Sequence, residues 1–373
     1  MRVLRDVSIF LIQLILLFAH WFVYHTWIAF WSHLSRGAAQ WLGAAMFVLA
    51  FTFVPASLLS FRFFNPAVAF FYKLAAIWLG FMNYLFMAAC LSWPLWYAAR
   101  VFVSRAGASG ARPWIAGVLF ALALATGFYG LLNARWIRVR RIAVSLPNLP
   151  ESWRGRKAVM FSDLHLEQVN GFAFCRRLTA LTASFNPHIV FLSGDLFDGA
   201  KADFDSLVAP FKNLTPPFGI YFSTGNHEGF GDATGHLEAI YRSGIRVLAN
   251  QCITVDGLQI AGIPDEESSD PARMKASLEE LRLDHARASI LLNHAPVRLC
   301  MVEQAGVSLQ LSGHTHGGQL FPFTWVTHRV FGRFVYGMNE LGALKVYTSS
   351  GAGTWGPPMR VGSQPEVVQI TFQ

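Results

Sequence analysis

Hydrophobic and polar positions divide the chain into two unlike parts. Up to about residue 134, apolar residues run together in long blocks separated by short polar stretches. Four blocks, roughly 7–31, 41–59, 74–95 and 114–132, approach or exceed the about 20 residues a helix needs to cross ~30 Å of hydrocarbon. Trp31, Trp41, Trp93 and Trp114 stand near block ends, where amphipathic rings favour the membrane interface. Pro55 lies near the end of the second block and Asn83 inside the third. The first block is longer than the about 7–15 apolar residues of a cleaved signal peptide, so it is expected to remain as a span. Short connections predict a four-helix hairpin bundle, and the boundary of this membrane part falls at residues 1–134.

Beyond Arg141 the period changes. Short β-branched or apolar runs at 157–162, 189–193, 220–224, 259–263, 289–293 and 308–312 predict strands. Polar helical stretches at 174–185, 237–243 and 272–283 lie between them. Strands alternating with helices predict an α/β domain over residues 135–373. Pro264, Pro271 and the acidic run between them predict a surface loop. The apolar stretch 320–326 predicts a buried hairpin, with an acyl-chain groove or a bilayer contact as the alternative.

Composition sharpens this division. Hydrophobic residues make up 53% and charged residues 14%, against ~45–50% and ~25% in ordinary soluble chains. That excludes a disordered chain and argues against a wholly soluble one. Net charge is +8, but residues 1–134 carry +7 of it and residues 135–373 only +1. The surplus is therefore a membrane-topology signal, and no nucleic-acid partner is expected. Arg2, Arg5, Arg62, Lys73, Arg135, Arg138, Arg140 and Arg141 fall on one side of the bundle. Arg36, Arg100, Arg105 and Arg112 fall on the other, which predicts a multi-pass cell-membrane protein with both termini and the catalytic part in the cytoplasm. Cys90, Cys175, Cys252 and Cys300 form no CxxC pair, which excludes a disulfide scaffold and a thiolate zinc site. His20, His25 and Asn83 are read as interhelical hydrogen-bonding groups, since no span contains an acidic partner for an ion path.

The chemistry sits where strands end, the usual place for ligands in such sheets. Asp163-Leu164-His165 follows the first strand, Gly194-Asp195 and Asp198 the second, and Gly225-Asn226-His227-Glu228 the third. His294 closes the fifth, and Gly313-His314-Thr315-His316 follows the last. Asp, Asn and His donors without Cys suit hard or borderline divalent ions such as manganese, iron or zinc. Seven candidate ligands are too many for one ion and suit two ions that share a carboxylate.

The ordered series DxH, GDxxD, GNHE, H and GHTH resembles the calcineurin-like metallophosphoesterase superfamily. The strings SDLHL, GDLFD, NHAP, SGHTHGGQL and YTSSGAGTWGPPMR are similar to its bacterial membrane-associated branch. The resemblance covers about 140–373 and implies a metallophosphoesterase-like αββα sandwich. It implies that Asp163, His165 and His316 bind one metal, Asn226, His294 and His314 the other, and that Asp195 bridges them. It gives His227 the role of acid or transition-state donor at the scissile phosphate. His188 departs from the family pattern, which has Asp there.

The implied activity is hydrolysis of a phosphoric ester, phosphodiester or phosphomonoester, by a metal-bridging hydroxide. A lipid-linked substrate would explain the membrane part. The alternative is a non-catalytic metal-binding sensor or scaffold. Asp198 and Glu228 are candidates for orienting imidazoles. Arg360 is read as a surface or ion-pair residue, and His236, His285 and His328 as surface or packing histidines.

Overall fold

A computed structural model describes residues 2–102, 105–230 and 233–373. The side chains at 2–6, 105, 106 and 108, and with them Arg2, Arg5 and Arg105 of the charge count, lie outside that description. The chain divides into two units, Met1–Leu132 with Gly356–Met359, and Asn133–Trp355 with Arg360–Gln373.

The first unit holds helices α1 (Arg2–Phe30), α2 (Arg36–Ala50), α3 (Phe53–Arg62), α4 (Pro66–Phe102) and α5 (Arg105–Arg135). Among the described residues they give four segments long and apolar enough to span a membrane: Val7–Phe30, Arg36–Arg62, Pro66–Phe102 and Ser109–Arg135. The second segment is broken into α2 and α3 at Phe51 and Thr52. Pro55 accounts for the break, because it has no N–H to give and its ring crowds the carbonyl one turn back; it is tolerated only in the first turn of α3. Several polar side chains inside this unit pair within it. His20 Nδ1 lies 2.7 Å from the Leu16 carbonyl, and Trp78 Nε1–H donates to His20 Nε2 at 2.8 Å. Trp93 Nε1–H donates to Thr26 Oγ1 at 2.9 Å, and the His25 ring stacks on Trp21 and Trp93. The reading of His20 as an interhelical hydrogen-bonding group thus matches its contacts.

The second unit is a layered α/β structure. Its strands are β1 (Arg138–Val144), β2 (Lys157–Phe161), β3 (Ile189–Ser193), β4 (Ile220–Ser223), β5 (Arg246–Val247) and β6 (Gln251–Val255). They continue with β7 (Leu258–Ile263), β8 (Ser289–Asn293), β9 (Leu309–Ser312), β10 (Gly337–Leu341), β11 (Leu344–Thr348) and β12 (Glu366–Phe372). The helices are α6 (Phe172–Ala183), α7 (Phe204–Val208), α8 (Ala233–Arg242), α9 (Asp265–Ser268), α10 (Pro271–Glu280), α11 (Leu299–Gln304) and α12 (Phe323–Phe331). One sheet runs β1-β12-β2-β3-β4-β5 and the other β10-β11-β9-β8-β7-β6. Strands β2 to β5 are mutually parallel, as are β7, β8, β9 and β11.

Side-chain alternation builds the layers. Ala158 and Met160 of β2, Phe191 of β3, Ile260 of β7, Ile290 of β8 and Leu311 of β9 meet in a core between the sheets. Val159, Phe161, Val190 and Leu192 face the other way, onto Cys175 and Leu178 of α6 and Ile240 of α8. On the far side Ala261, Ile263 and Leu291 pack on Met274 and Leu278 of α10 and Val302 of α11. This is the αββα arrangement, and strands covered on both faces read as continuous apolar runs. Buried serines tie the sheets together at the strand ends. Ser193 Oγ–H donates to the Leu311 carbonyl and Ser223 Oγ–H to the Ile263 carbonyl, each at 2.8 Å.

Two local expectations are corrected. The acidic run after Pro264 is helical as α9, and Asp270 caps α10 by accepting from the N–H groups of Ala272 and Arg273 at 2.9 Å. The 320–326 stretch is no buried hairpin, because Phe323 begins α12. Phe323, Trp325 and Val326 are 54%, 69% and 58% exposed.

Candidate metal centre

Every sequence-predicted site residue lies in a turn that leaves the carboxyl end of a strand. The first sheet supplies Asp163, His165, Asp195, Asn226 and His227, and the second His294, His314 and His316. Asp163, His165, Asp195, His227 and His294 are buried, and Asn226, His314 and His316 are half-buried. The local backbone is unusual. Asp163, His165, Asp195, His314 and His316 all adopt positive φ between 45° and 68°. Each such non-glycine residue costs about 1–3 kcal/mol unless its surroundings hold it there.

The hold is visible. Asp163 N–H donates to the Gly194 carbonyl and His165 N–H to the Asp195 carbonyl, both at 3.1 Å. His314 N–H donates to Asp163 Oδ1 at 3.0 Å, and His227 N–H to Asp195 Oδ1 at 2.9 Å. The motif glycines serve close approach: a Cβ on Gly313 would overlap the Asp163 carboxylate, and one on Gly225 the Asp195 carboxylate.

Donor atoms converge in three overlapping groups, each with all atoms within 4.8 Å of one another: Asp163, His165 and His316; Asp195, His294 and His314; and His165, Asp195 and His227. His165 Nε2 and His316 Nε2 lie 3.1 Å apart, and Asp163 Oδ1 is 3.4 Å from His316 Nε2. Asp195 Oδ2 lies 3.1 Å from His294 Nε2 and 3.8 Å from His165 Nε2, so it belongs to both sides. Asn226 Oδ1 lies 3.0 Å from His314 Nδ1. The residues fit divalent ions on two counts. The donors are of the Asp, Asn and His type that such ions take, and the ring nitrogens His165 Nε2 and His316 Nε2 meet at 3.1 Å beside the buried Asp163 carboxylate.

Imidazole orientation is set from behind. His165 Nδ1 lies 3.0 Å from Asp198 Oδ1, His294 Nδ1 2.8 Å from the Ser193 carbonyl, and His227 Nδ1 2.8 Å from the Asp198 carbonyl. Donation from Nδ1–H in each case leaves Nε2 to face the site. Electrostatics follow burial and neighbours. Burial alone would raise the Asp195 carboxyl, but His294 first, then His165 and His227, hold it well below the ordinary carboxylate range. Burial, followed by the Arg360 guanidinium, holds His316 well below the ordinary histidine range, which keeps it neutral.

Three residues differ from the sequence reading or lie outside it. Asp198 orients an imidazole as expected; Glu228 does not. Its carboxylate accepts the N–H groups of Asp195, Leu196, Phe197 and Gly225 at 2.7–3.2 Å, and burial with the nearby Asp195 charge pushes it up to about 7. Glu167 does the same for the next stretch, accepting from Asp198, Gly199 and Ala200 at 2.7–3.1 Å. Burial raises it to about 9. Its place two residues after the DxH pair was the only signal in the sequence. Arg360 is not a surface residue: it is fully buried. It donates to the carbonyls of His316 at 2.8 Å, Gly353 at 2.6 Å and Gly351 at 3.3 Å, and to Ser363 Oγ at 3.2 Å. Burial lowers it to about 10.

The remaining histidines stay outside the centre. His236 is buried against Phe197 and Phe204, and His285 and His328 are exposed. His188, the departure from the family pattern, accepts the Lys157 N–H at 3.1 Å.

Residues 157–318 match the family model described as calcineurin-like phosphoesterase. An uncharacterized metallophosphoesterase of Campylobacter jejuni is 32% identical over 239 residues, 63% of this chain and 63% of its own. A transmembrane protein with metallophosphoesterase domain from Danio rerio is 32% identical over 261 residues, 66% of this chain and 60% of its own. An uncharacterized metallophosphoesterase of Aquifex aeolicus is 32% identical over 260 residues, 68% of this chain and 98% of its own. The match thus spans about three fifths of the Campylobacter and Danio proteins and nearly all of the Aquifex one. Shared identity over almost the whole Aquifex protein, together with the family match at 157–318, places this chain in the calcineurin-like phosphoesterase family.

Proposed function

We propose that the chain is a membrane-anchored two-metal phosphoric ester hydrolase. Residues 1–134 form a multi-pass anchor in the cell membrane, and residues 135–373 form the catalytic part on the cytoplasmic side. The observation that carries this reading is the shared position of Asp195, 3.1 Å from His294 and 3.8 Å from His165. Asp163, His165 and His316 complete one side of the centre, and Asn226, His294 and His314 the other. Two divalent ions held there would neutralise an anionic phosphoester and lower the pKa of water.

The chain's own residues do the rest. Asp198 and the Ser193 carbonyl fix the imidazoles so that their Nε2 atoms stay available. Glu228 and Glu167 hold the turns that carry Asp195 and Asp198 in place. His227, anchored through Nδ1 on the Asp198 carbonyl, presents Nε2 to the leaving oxygen and gives it a proton. The Asp198 carboxylate lies 3.4 Å from His227 Nδ1 and helps hold the ring in this orientation. We infer a substrate with a lipid part, because a soluble phosphoester would not require a multi-pass anchor.

Removal and return of metal tests the reading. Full-length protein in detergent is stripped with a chelator and assayed on bis-p-nitrophenyl phosphate. Hydrolysis is expected to vanish and to return with manganese, iron or zinc. Hydrolysis that survives chelation would contradict it, and so would stoichiometric metal with no turnover on any ester, which would favour a sensor or scaffold.

A further inference from the structure

The outer face of α12 exposes large apolar side chains. Thr324 is buried against the turn at Gly318, so the helix packs directly behind His316. Phe323, Trp325, Val326 and Val330 point away from that contact and are 54%, 69%, 58% and 68% exposed. Four large apolar side chains on one face of a nine-residue helix are unusual for a surface in contact with water.

The same character continues to the candidate centre. Phe331 at the end of α12 has its ring 5.9 Å from His314. A cavity of about 500 Å³ takes in both residues, its wall apolar at Ala295, Val330 and Phe331 and polar at Asp265, Ser269 and Arg298. Phe230 and Trp355, 48% and 58% exposed, stand with ring centroids 5.2 Å and 6.1 Å from His227.

Charge identifies what covers this face. Residues 304–339 contain no Asp or Glu, while Arg329 and Arg333 are exposed on α12 and just after it. An exposed apolar face with a tryptophan, flanked by arginines and free of acidic residues, is the composition of a helix lying in a headgroup layer. It also suits the anionic surface of a cytoplasmic leaflet.

We propose that α12 is an interfacial helix. Phe323, Trp325, Val326 and Val330 insert among lipid headgroups, and a phospholipid-like ester passes from the bilayer along Val330 and Phe331 to the centre at His314. This rests on the hydrolase reading for its purpose but not for its test.

The experiment uses the full chain in nanodiscs of phosphatidylcholine and phosphatidylglycerol in equal parts. Cys90→Ser, Cys252→Ser and Cys300→Ser remove competing thiols, and Val326→Cys carries an environment-sensitive fluorophore. Tyr241→Cys, at a 73% exposed position on α8, carries the same label as the reference for open water. The label at 326 is expected to shift to the blue and to be quenched by doxyl-labelled lipid, at about 5–10 Å into the headgroup boundary. The label at 241 is expected to do neither. Equal water access at 326 and 241 would overturn the proposal. Shielding at 326 without lipid quenching, together with a disulfide crosslink between two unlabelled copies of the Val326→Cys variant, would assign the face to a second copy and overturn it too. Lipid quenching at 326 in a protein that fails on bis-p-nitrophenyl phosphate would sustain the interfacial helix and remove only the hydrolase reading.

Discussion

Both units bury polar side chains, and they do so in opposite ways. In the helical unit each described pair closes on itself. Trp78 satisfies His20 and Trp93 satisfies Thr26. In the α/β unit the polar groups converge. Three donor groups overlap on Asp195 and His165, and the backbone beneath them is left-handed at five site residues. A self-satisfied buried pair is structural. A buried cluster of convergent donors held in costly conformations is built for something that binds.

The contrast can be broken or sharpened by substitution. The largest loss among single side chains outside the ligand set belongs to His227. His227→Ala should keep both metals by elemental analysis and lower kcat on bis-p-nitrophenyl phosphate by about 10²–10⁴-fold. Loss of metal in this variant would move His227 from the reacting side to the ligand set. Asp198→Ala comes next, because it frees the His165 ring and withdraws charge from His227. Metal affinity by competition titration should weaken by about 10–100-fold. Unchanged affinity would show that the 3.0 Å contact orients nothing. The smallest effect lies in the other unit. Trp78→Phe removes one interhelical hydrogen bond, worth about 0.6–2 kcal/mol in a membrane, and should leave turnover unaltered. A Trp78→Phe enzyme with normal stability and damaged turnover would erase the distinction between the units.

Much of this was legible in the sequence, and the exceptions share a cause. The apolar blocks and the parallel central strands β2, β3, β4, β7, β8 and β9 were readable because burial on both faces forces continuous apolar runs. The candidate donors were readable because each directly follows a strand. Edge strands β1, β5, β6 and β10 were not readable, since β5 has only two residues and the others mix polar with apolar positions. Arg360 reads as a surface residue because only the fold shows that its guanidinium meets the carbonyls of residues 316, 351 and 353. Glu228 looks like a partner for histidine in sequence, yet its carboxylate is spent on four backbone N–H groups. The 320–326 stretch misleads because a short apolar run carries no period, and α12 turns its apolar face outward.

The shared carboxylate is the centre of the account, so it gives the most direct test. Full-length protein and Asp195→Asn are purified in the same detergent, and bound metal is counted by elemental analysis beside hydrolysis of bis-p-nitrophenyl phosphate with added manganese. The account predicts about two metals per chain and metal-dependent hydrolysis in the first. It predicts loss of the metal pair and of hydrolysis in the second. Two metals and full hydrolysis in Asp195→Asn would contradict it.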